Sequence, residues 1–106
     1  MQVTVTGRNL DVPPAVKAQA VAKLTKVERL LPNLLDLEIV FWEERNPRIA
    51  QPIMCEVTLR SKGTTMHAQA AASDLLAAID AVQEKLVEQV RRQKDKLVTR
   101  THRSAS

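Results

Sequence analysis

The amino-acid sequence predicts an α+β domain in which two helices pack on one face of a four-stranded sheet, in the order β-α-β-β-β-α. Four short runs alternate apolar and polar residues, as strands with one buried face do, and two longer runs repeat apolar residues at helical spacing. At 106 residues, with 44% hydrophobic side chains, the chain is long enough for one core but too short for two.

The first strand and first helix are predicted from the first third of the chain. In "MQVTVTG" valines alternate with threonines until Gly7, and this β-branched pattern is typical of a short strand. In "VPPAVKAQAVAKLTKVERLLP" paired prolines precede a helical repeat, where a missing N–H breaks no hydrogen bond, and Pro32 ends it. The apolar positions of this helix are Val16, Ala20, Leu24, Val27 and Leu31.

Three more strands are predicted in "LLDLEIVFWEE", "PIMCEVTLRS" and "TTMHAQAA". Between the first two, "RNPRIAQP" has two prolines and no periodicity, which indicates a flexible loop. The single cysteine, Cys55, lies in the alternating run of the third strand, so we expect it to be a small buried hydrophobe.

A second helix is predicted over "DLLAAIDAVQEKLVEQVRRQKDKLV", with Ser73 as its N-cap. Its apolar residues are Leu75, Ile79, Val82, Leu86, Val90 and Leu97. The following "TRTHRSAS" has no core-forming pattern. The sequence therefore predicts a domain over residues 1–98 and a flexible basic tail over residues 99–106.

Several classes of function lack support in the sequence. No long apolar stretch or signal peptide is present, so we expect a soluble cytoplasmic protein. Cys55, His67 and His102 are too few and too widely spaced for a zinc site, and no cofactor motif occurs. The spacing suggests no nucleophile or acid partner for His67, and we expect no enzymatic activity.

Basic charge is concentrated near the end of the chain. Residues 89–103 carry six Lys or Arg side chains against one acid, Asp95, whereas the net charge of the whole chain is +4. A rotation of about 100° per residue places Lys85, Arg92 and Lys96 on one stripe of the second helix. The acids of that helix fall on another stripe together with Arg91, where they can neutralise it. We expect the first stripe to lack acidic partners.

The first helix has a second basic row, because Lys23, Lys26 and Arg29 recur every three residues. If the helices lie side by side, both rows could line one surface. A charged helix face is often only solvated, but local charge repeated on two helices favours a surface that binds a polyanion. The chain has one Trp, one Phe and no Tyr, so an aromatic platform for stacking bases is not expected. Structured RNA is therefore the favoured polyanion. Double-helical DNA remains an alternative that no feature of the sequence supports.

Several segments resemble the bacterial ribosome hibernation promoting factors, a family that includes protein Y. They are "MQVTVTGRN", "AKLTKVERL" and, most diagnostic, "MHAQAAASDLLAAIDAVQEKLVEQVRRQKDKL". The resemblance covers nearly the whole chain and implies a fold related in appearance to double-stranded-RNA-binding domains. It implies that the chain, as a monomer, binds the small ribosomal subunit and its rRNA in the channel between head and body, competes with mRNA and tRNA, and promotes or stabilises inactive, dimeric ribosomes.

The resemblance also implies rRNA contacts for seven residues at matching positions: Lys23, Lys26, Arg29, Lys85, Arg91, Arg92 and Lys96. Leu76 stands where the family often has tyrosine. The acidic C-terminal extension of protein Y is absent, which favours the dimer-promoting type, and "THRSAS" is compatible with a linker to the dimerisation domain of longer members. Two alternatives are a structured-RNA-binding module or chaperone without ribosomal preference, and a protein-interaction domain that modulates a sigma factor.

Overall fold

The computed structural model describes residues 2–31, 33–45 and 52–105, with side chains described as far as Gln93. The strands are β1 (Gln2–Gly7), β2 (Leu34–Glu43), β3 (Ile53–Ser61) and β4 (Thr64–Ala72), and the helices are α1 (Pro14–Leu24) and α2 (Leu75–Ala105). A 3₁₀ segment (Thr25–Arg29) follows α1 directly. The predicted α+β order of β-α-β-β-β-α is confirmed.

The sheet has the order β1-β2-β3-β4, with β1 parallel to β2 and the other neighbours antiparallel. The parallel pair needs a crossover connection, and α1 provides it. Across the strands the register aligns Val5, Ile39, Val57 and Ala68 on the same face, so that each strand contributes its apolar positions to one layer. β4 runs in the same direction as β1. Because α1 follows β1 and α2 follows β4, both helices begin at the same end of the sheet.

The hydrophobic core lies between this face of the sheet and the two helices. Phe41 and Ile39 from β2 are fully buried. They belong to one cluster with Leu24 of α1 and with the apolar stripe of α2, which is formed by Ile79, Val82, Leu86 and Val90. The predicted cover of one face by both helices is confirmed. The long helix α2 is too polar to cross a membrane, and no other helix in the described residues is long and apolar enough to do so.

The first helix is shorter than predicted. The sequence indicated one helix as far as Pro32, but the α-helix ends at Leu24 and continues as the 3₁₀ segment. The hydroxyl of Thr25 donates to the Ala22 carbonyl over 3.3 Å at this junction. Winding at three residues per turn places Val27 one turn beyond Leu24, and both side chains are buried.

The second helix begins one residue later than predicted and continues further. Its N-cap is Asp74 and not Ser73, because the Ala77 N–H donates to the Asp74 Oδ1 over 2.8 Å. The backbone is helical through Ala105, so the helix includes residues 99–105. The division into a domain over residues 1–98 and a flexible basic tail stays a prediction. No glycine or proline occurs in this span to end the helix. The loop predicted in "RNPRIAQP" lies mostly outside the described residues.

Cys55 is buried in the core as predicted. Burial raises the pKa of its thiol from 9.0 to about 12, and the neighbouring Glu56 carboxylate acts in the same direction. Above pH 9 only the unfolded chain can release this proton, so we expect the free energy of unfolding to fall by about 1.4 kcal/mol per pH unit as pH rises from 9 toward 12.

The control for this pH dependence is Cys55→Ala, which keeps every other titrating group. Urea denaturation of both proteins between pH 7 and pH 11, followed by circular dichroism, isolates the contribution of the thiol. The stability difference should be constant up to about pH 9 and then change in favour of the alanine variant. A difference that stays constant over the whole range would contradict the assignment.

Candidate nucleic-acid interface

Lys23 joins the two helices. Its ammonium group donates to the Asp80 Oδ1 over 2.5 Å, and its main-chain carbonyl accepts from the Gln83 side chain over 2.8 Å. The Lys23 side chain is only 31% exposed. This basic residue, predicted to contact RNA, therefore also fixes how α1 packs beside α2.

Lys26 and Arg29 lie exposed on the 3₁₀ segment and line a shallow groove of about 430 Å³. In a 3₁₀ segment, residues three apart stand one above the other, so these two side chains lie in one row. Neither forms an ion pair with the side chains that the structure describes. The row predicted from the three-residue repeat is thus present. Lys26 and Arg29 are the members of this row that form no ion pair with a described side chain.

Lys85 lies on the flank of α2 opposite to the one that contacts α1. Its ammonium group donates to the main-chain carbonyl of Gln69 over 2.9 Å, on the edge strand β4. The contacts to α1 are made from the other flank, by Asp80 and Gln83. The helices do lie side by side, but the stripe that begins at Lys85 faces away from α1. The expectation that this stripe and the α1 row line one surface is therefore wrong.

The expectation that this stripe lacks acidic partners is also wrong. The Arg92 guanidinium pairs with the Glu88 carboxylate one helical turn earlier, and both side chains are largely exposed, at 72% and 60%. Such a pair is worth about 0.3–0.5 kcal/mol, so it competes only weakly with a phosphate. Lys96 follows on the helix backbone, and its side chain lies outside the described residues.

Arg91 is an exposed basic residue of α2. It lines a groove of about 390 Å³ together with Gln83, Glu84, Val87, Glu88 and Arg92. Helical spacing placed it among acids that would neutralise it, yet it forms no ion pair with a described side chain. Arg91 on α2, and Lys26 and Arg29 on the 3₁₀ segment that follows α1, are therefore exposed guanidinium or ammonium groups suited to hydrogen bonds with phosphate oxygens.

The outer face of the sheet is polar. His67 is exposed there, and its Nδ1 lies 3.1 Å from the Thr58 hydroxyl. Arg60 pairs with Asp36 over 2.8 Å, and this hydrogen bond, together with the Asp36 charge, raises the pKa of the guanidinium. Within the described part of the chain, no three His, Cys, Asp or Glu residues cluster as metal ligands would.

One group of residues was not expected from the sequence. Trp42 lies on the outer face, and the guanidinium of Arg8 stacks over its ring, 5.0 Å from the ring centroid. The neighbouring Phe41 is fully buried, because successive residues of a strand point to opposite faces. The pairing of Gly7 with Phe41 brings Arg8 beside Trp42, and this parallel register is not visible in either strand alone.

Comparisons with known proteins identify the family. The family model described as "Sigma 54 modulation protein / S30EA ribosomal protein" matches residues 3–98. The ribosome hibernation promoting factor of Klebsiella oxytoca is 34% identical over 97 residues, which cover 92% of this chain and 97% of that protein. The corresponding factor of Escherichia coli K12 is 31% identical with the same coverage. The chain therefore belongs to this family, and the resemblance stated from its residues is confirmed.

Solved structures agree with this assignment. The Thermus thermophilus protein Y N-terminal domain has a TM-score of 0.72 and 25% identity, over 87% of this chain and 98% of that one. A ribosomal subunit interface protein from Coxiella burnetii shares the fold, with a TM-score of 0.79 and 22% identity, over 90% of this chain and 99% of that one. Leu76 is 47% exposed on the first turn of α2.

Proposed function

We propose that this protein is a cytoplasmic, non-catalytic ribosome hibernation factor that binds the small ribosomal subunit in the channel of mRNA and tRNA. The observation that carries the proposal is the set of exposed basic side chains, Lys26 and Arg29 on the 3₁₀ segment and Arg91 on α2, in a domain from this family. The names of the relatives, which are hibernation promoting factors and a ribosomal subunit interface protein, support the same partner.

The proposed mechanism is steric exclusion, with electrostatics supplying affinity. Basic side chains bind rRNA phosphates and release condensed counterions, which favours association without reading base sequence. The body of the domain then occupies the space that mRNA and tRNA need. No proton transfer or covalent step is required, so silencing depends on occupancy alone.

The seven basic residues are proposed to differ in their contributions. Lys26, Arg29 and Arg91 contact phosphates directly. Arg92 does so after leaving Glu88, and Lys85 after leaving the Gln69 carbonyl. Lys23 mainly holds α1 against α2 through Asp80. Lys96, whose side chain lies outside the described residues, is proposed as an rRNA contact from the family resemblance alone. As a monomer on each small subunit, the factor promotes or stabilises inactive, dimeric ribosomes.

A second candidate function is the binding of structured RNA without ribosomal preference. It is favoured by the basic residues themselves, because contacts to phosphates carry no sequence information. The two functions differ in what the protein travels with: a hibernation factor travels with the small subunit, and a general RNA-binding module distributes over bulk RNA.

Competition on purified small subunits tests the proposal. The protein should sediment with small subunits, and adding it should lower the binding of both mRNA and tRNA, because they share one channel. The matched control is a protein with Lys26→Gln and Arg29→Gln, which should need a higher concentration for the same displacement. If mRNA, tRNA and the factor all bind together without mutual loss of affinity, steric exclusion is wrong.

A further inference from the structure

A cleft of about 480 Å³ lies at the end of β2, and none of the residues proposed to contact rRNA phosphates lines it. Its lining residues are Arg8, Asn9, Trp42, Glu43 and Arg45. The volume lies within the range of sites that bind small molecules, and it is large enough for one nucleotide. Trp42, the only tryptophan of the chain, is on the sheet face opposite the helices.

The aromatic ring in the cleft is held in a defined position. The indole Nε1 donates to the Glu44 Oε1 over 3.0 Å, and Arg8 covers one face of the ring. Arg8 is placed by the sheet, because its N–H donates to the Phe41 carbonyl over 2.8 Å. Asn9 follows with a φ of 50°, which is the left-handed conformation that asparagine tolerates. The cleft therefore exists before any ligand binds.

The side chains around the ring match the parts of a nucleotide. The ring of Trp42 offers a face for base stacking, and Arg8 and Arg45 are exposed guanidinium groups that can bind a phosphate. Glu43 offers a carboxylate to the N–H donors of a base, whereas Glu44 is already engaged by the indole. An exposed cation–π contact is weaker than the stacking of a base on an aromatic ring, so a base can displace Arg8 from the ring.

We propose that this cleft binds one unpaired nucleotide of an RNA strand, with the base stacked on Trp42 and the phosphate held by Arg8 and Arg45. The inference rests on the proposed function as an RNA-binding factor and adds a second kind of contact to it. The helices bind phosphates of structured RNA, and the cleft selects a base that is not paired. A site on the opposite sheet face lets the domain contact two parts of a folded RNA at once.

Intrinsic fluorescence tests the proposal directly, because Trp42 is the only tryptophan and the chain has no tyrosine. A short unpaired RNA oligonucleotide should quench the fluorescence saturably, over the concentrations at which the anisotropy of the labelled oligonucleotide rises. The duplex of the same sequence should raise anisotropy through the helices without quenching. Trp42→Leu and Arg8→Gln should each weaken binding of the unpaired RNA roughly tenfold and leave duplex binding unchanged.

Two controls keep the outcome clear. Circular dichroism melting shows that each variant is folded, and Trp42→Phe, which keeps an aromatic ring, should lose less affinity than Trp42→Leu. Equal quenching by the duplex, or unchanged affinity of Trp42→Leu for unpaired RNA, would overturn the proposal and leave a protein partner as the candidate occupant. Sedimentation with small subunits is measured separately, so a failure of the ribosomal function and a failure of the cleft can be told apart.

Discussion

Replacing Gly7 with alanine is expected to destabilise the domain by about 3 kcal/mol or more, which is a large fraction of the roughly 5–15 kcal/mol that typically separates folded from unfolded domains. A Cβ at this position would lie 2.0 Å from the Leu10 carbonyl oxygen and 3.1 Å from the Val12 Cγ2. The closer atom belongs to the backbone, so no side-chain rotation relieves the clash. Gly7 also pairs with Phe41 at the end of β1, and any shift there disturbs the parallel pair.

The matched control is Gly63→Ala in the turn between β3 and β4. Gly63 has a φ of 81°, but nothing lies within 4 Å of the position that a Cβ would occupy. The expected cost is therefore that of the left-handed backbone alone, about 1–2 kcal/mol. Urea denaturation followed by circular dichroism compares both variants with the parent protein. If Gly7→Ala lowers the free energy of unfolding no more than Gly63→Ala does, the backbone between Gly7 and Val12 can shift at little cost to make room for the Cβ.

The strands were predictable because their alternation reflects one buried and one open face. The bounds of β2, β3 and β4 in the structure differ from the quoted runs by at most one residue at either end. The order of the strands in the sheet, and the parallel pairing of β1 with β2, involve residues far apart in the chain. Such pairing leaves no local pattern, so the contact between Arg8 and Trp42 could not be foreseen.

The ends of the helices were less predictable because single atoms decide them. Asp74 and Ser73 are both good N-cap residues, and only the geometry of the Ala77 N–H distinguishes them. The change from α to 3₁₀ winding at Thr25 depends on how Val27 packs into the core. Neither preference can be read from apolar spacing, which is nearly the same for both kinds of helix over a few residues.

In the candidate site, helical angles calculated from the sequence predict the positions of some basic side chains but not all of their ion pairs. Lys26 and Arg29 form a row as their spacing predicts. Arg92 pairs with Glu88 although the two lie on different stripes, because long side chains reach across the angle between them. The contact of Lys23 with Asp80 joins two helices, and no analysis of one helix contains it.

Neutralising Lys26, Arg29 and Arg91 together with glutamine is expected to weaken binding to the small ribosomal subunit by about a hundredfold or more. Charge-assisted hydrogen bonds to phosphates are worth about 1.5–3 kcal/mol each, and the three side chains are exposed without a described acidic partner. Glutamine keeps helix propensity and much of the side-chain stem, so the loss should reflect charge and not unfolding. Binding measured at several salt concentrations should give a plot of log affinity against log salt that is flatter by about 0.7–0.9 for each contact removed.

Single variants of this series compare the two arginines that adjoin in sequence. Helical angles alone favoured Arg92 as the stronger contact, but Arg92 must first leave Glu88, whereas Arg91 has no acidic partner among the described side chains. We therefore expect Arg91→Gln to reduce affinity and salt slope more than Arg92→Gln does. The matched control is Lys17→Gln on the first turn of α1, away from the row of Lys26 and Arg29, which should leave the slope unchanged. If Arg91→Gln also leaves affinity and slope unchanged while circular dichroism shows a folded protein, Arg91 is only a solvated side chain and rRNA is held elsewhere on the domain.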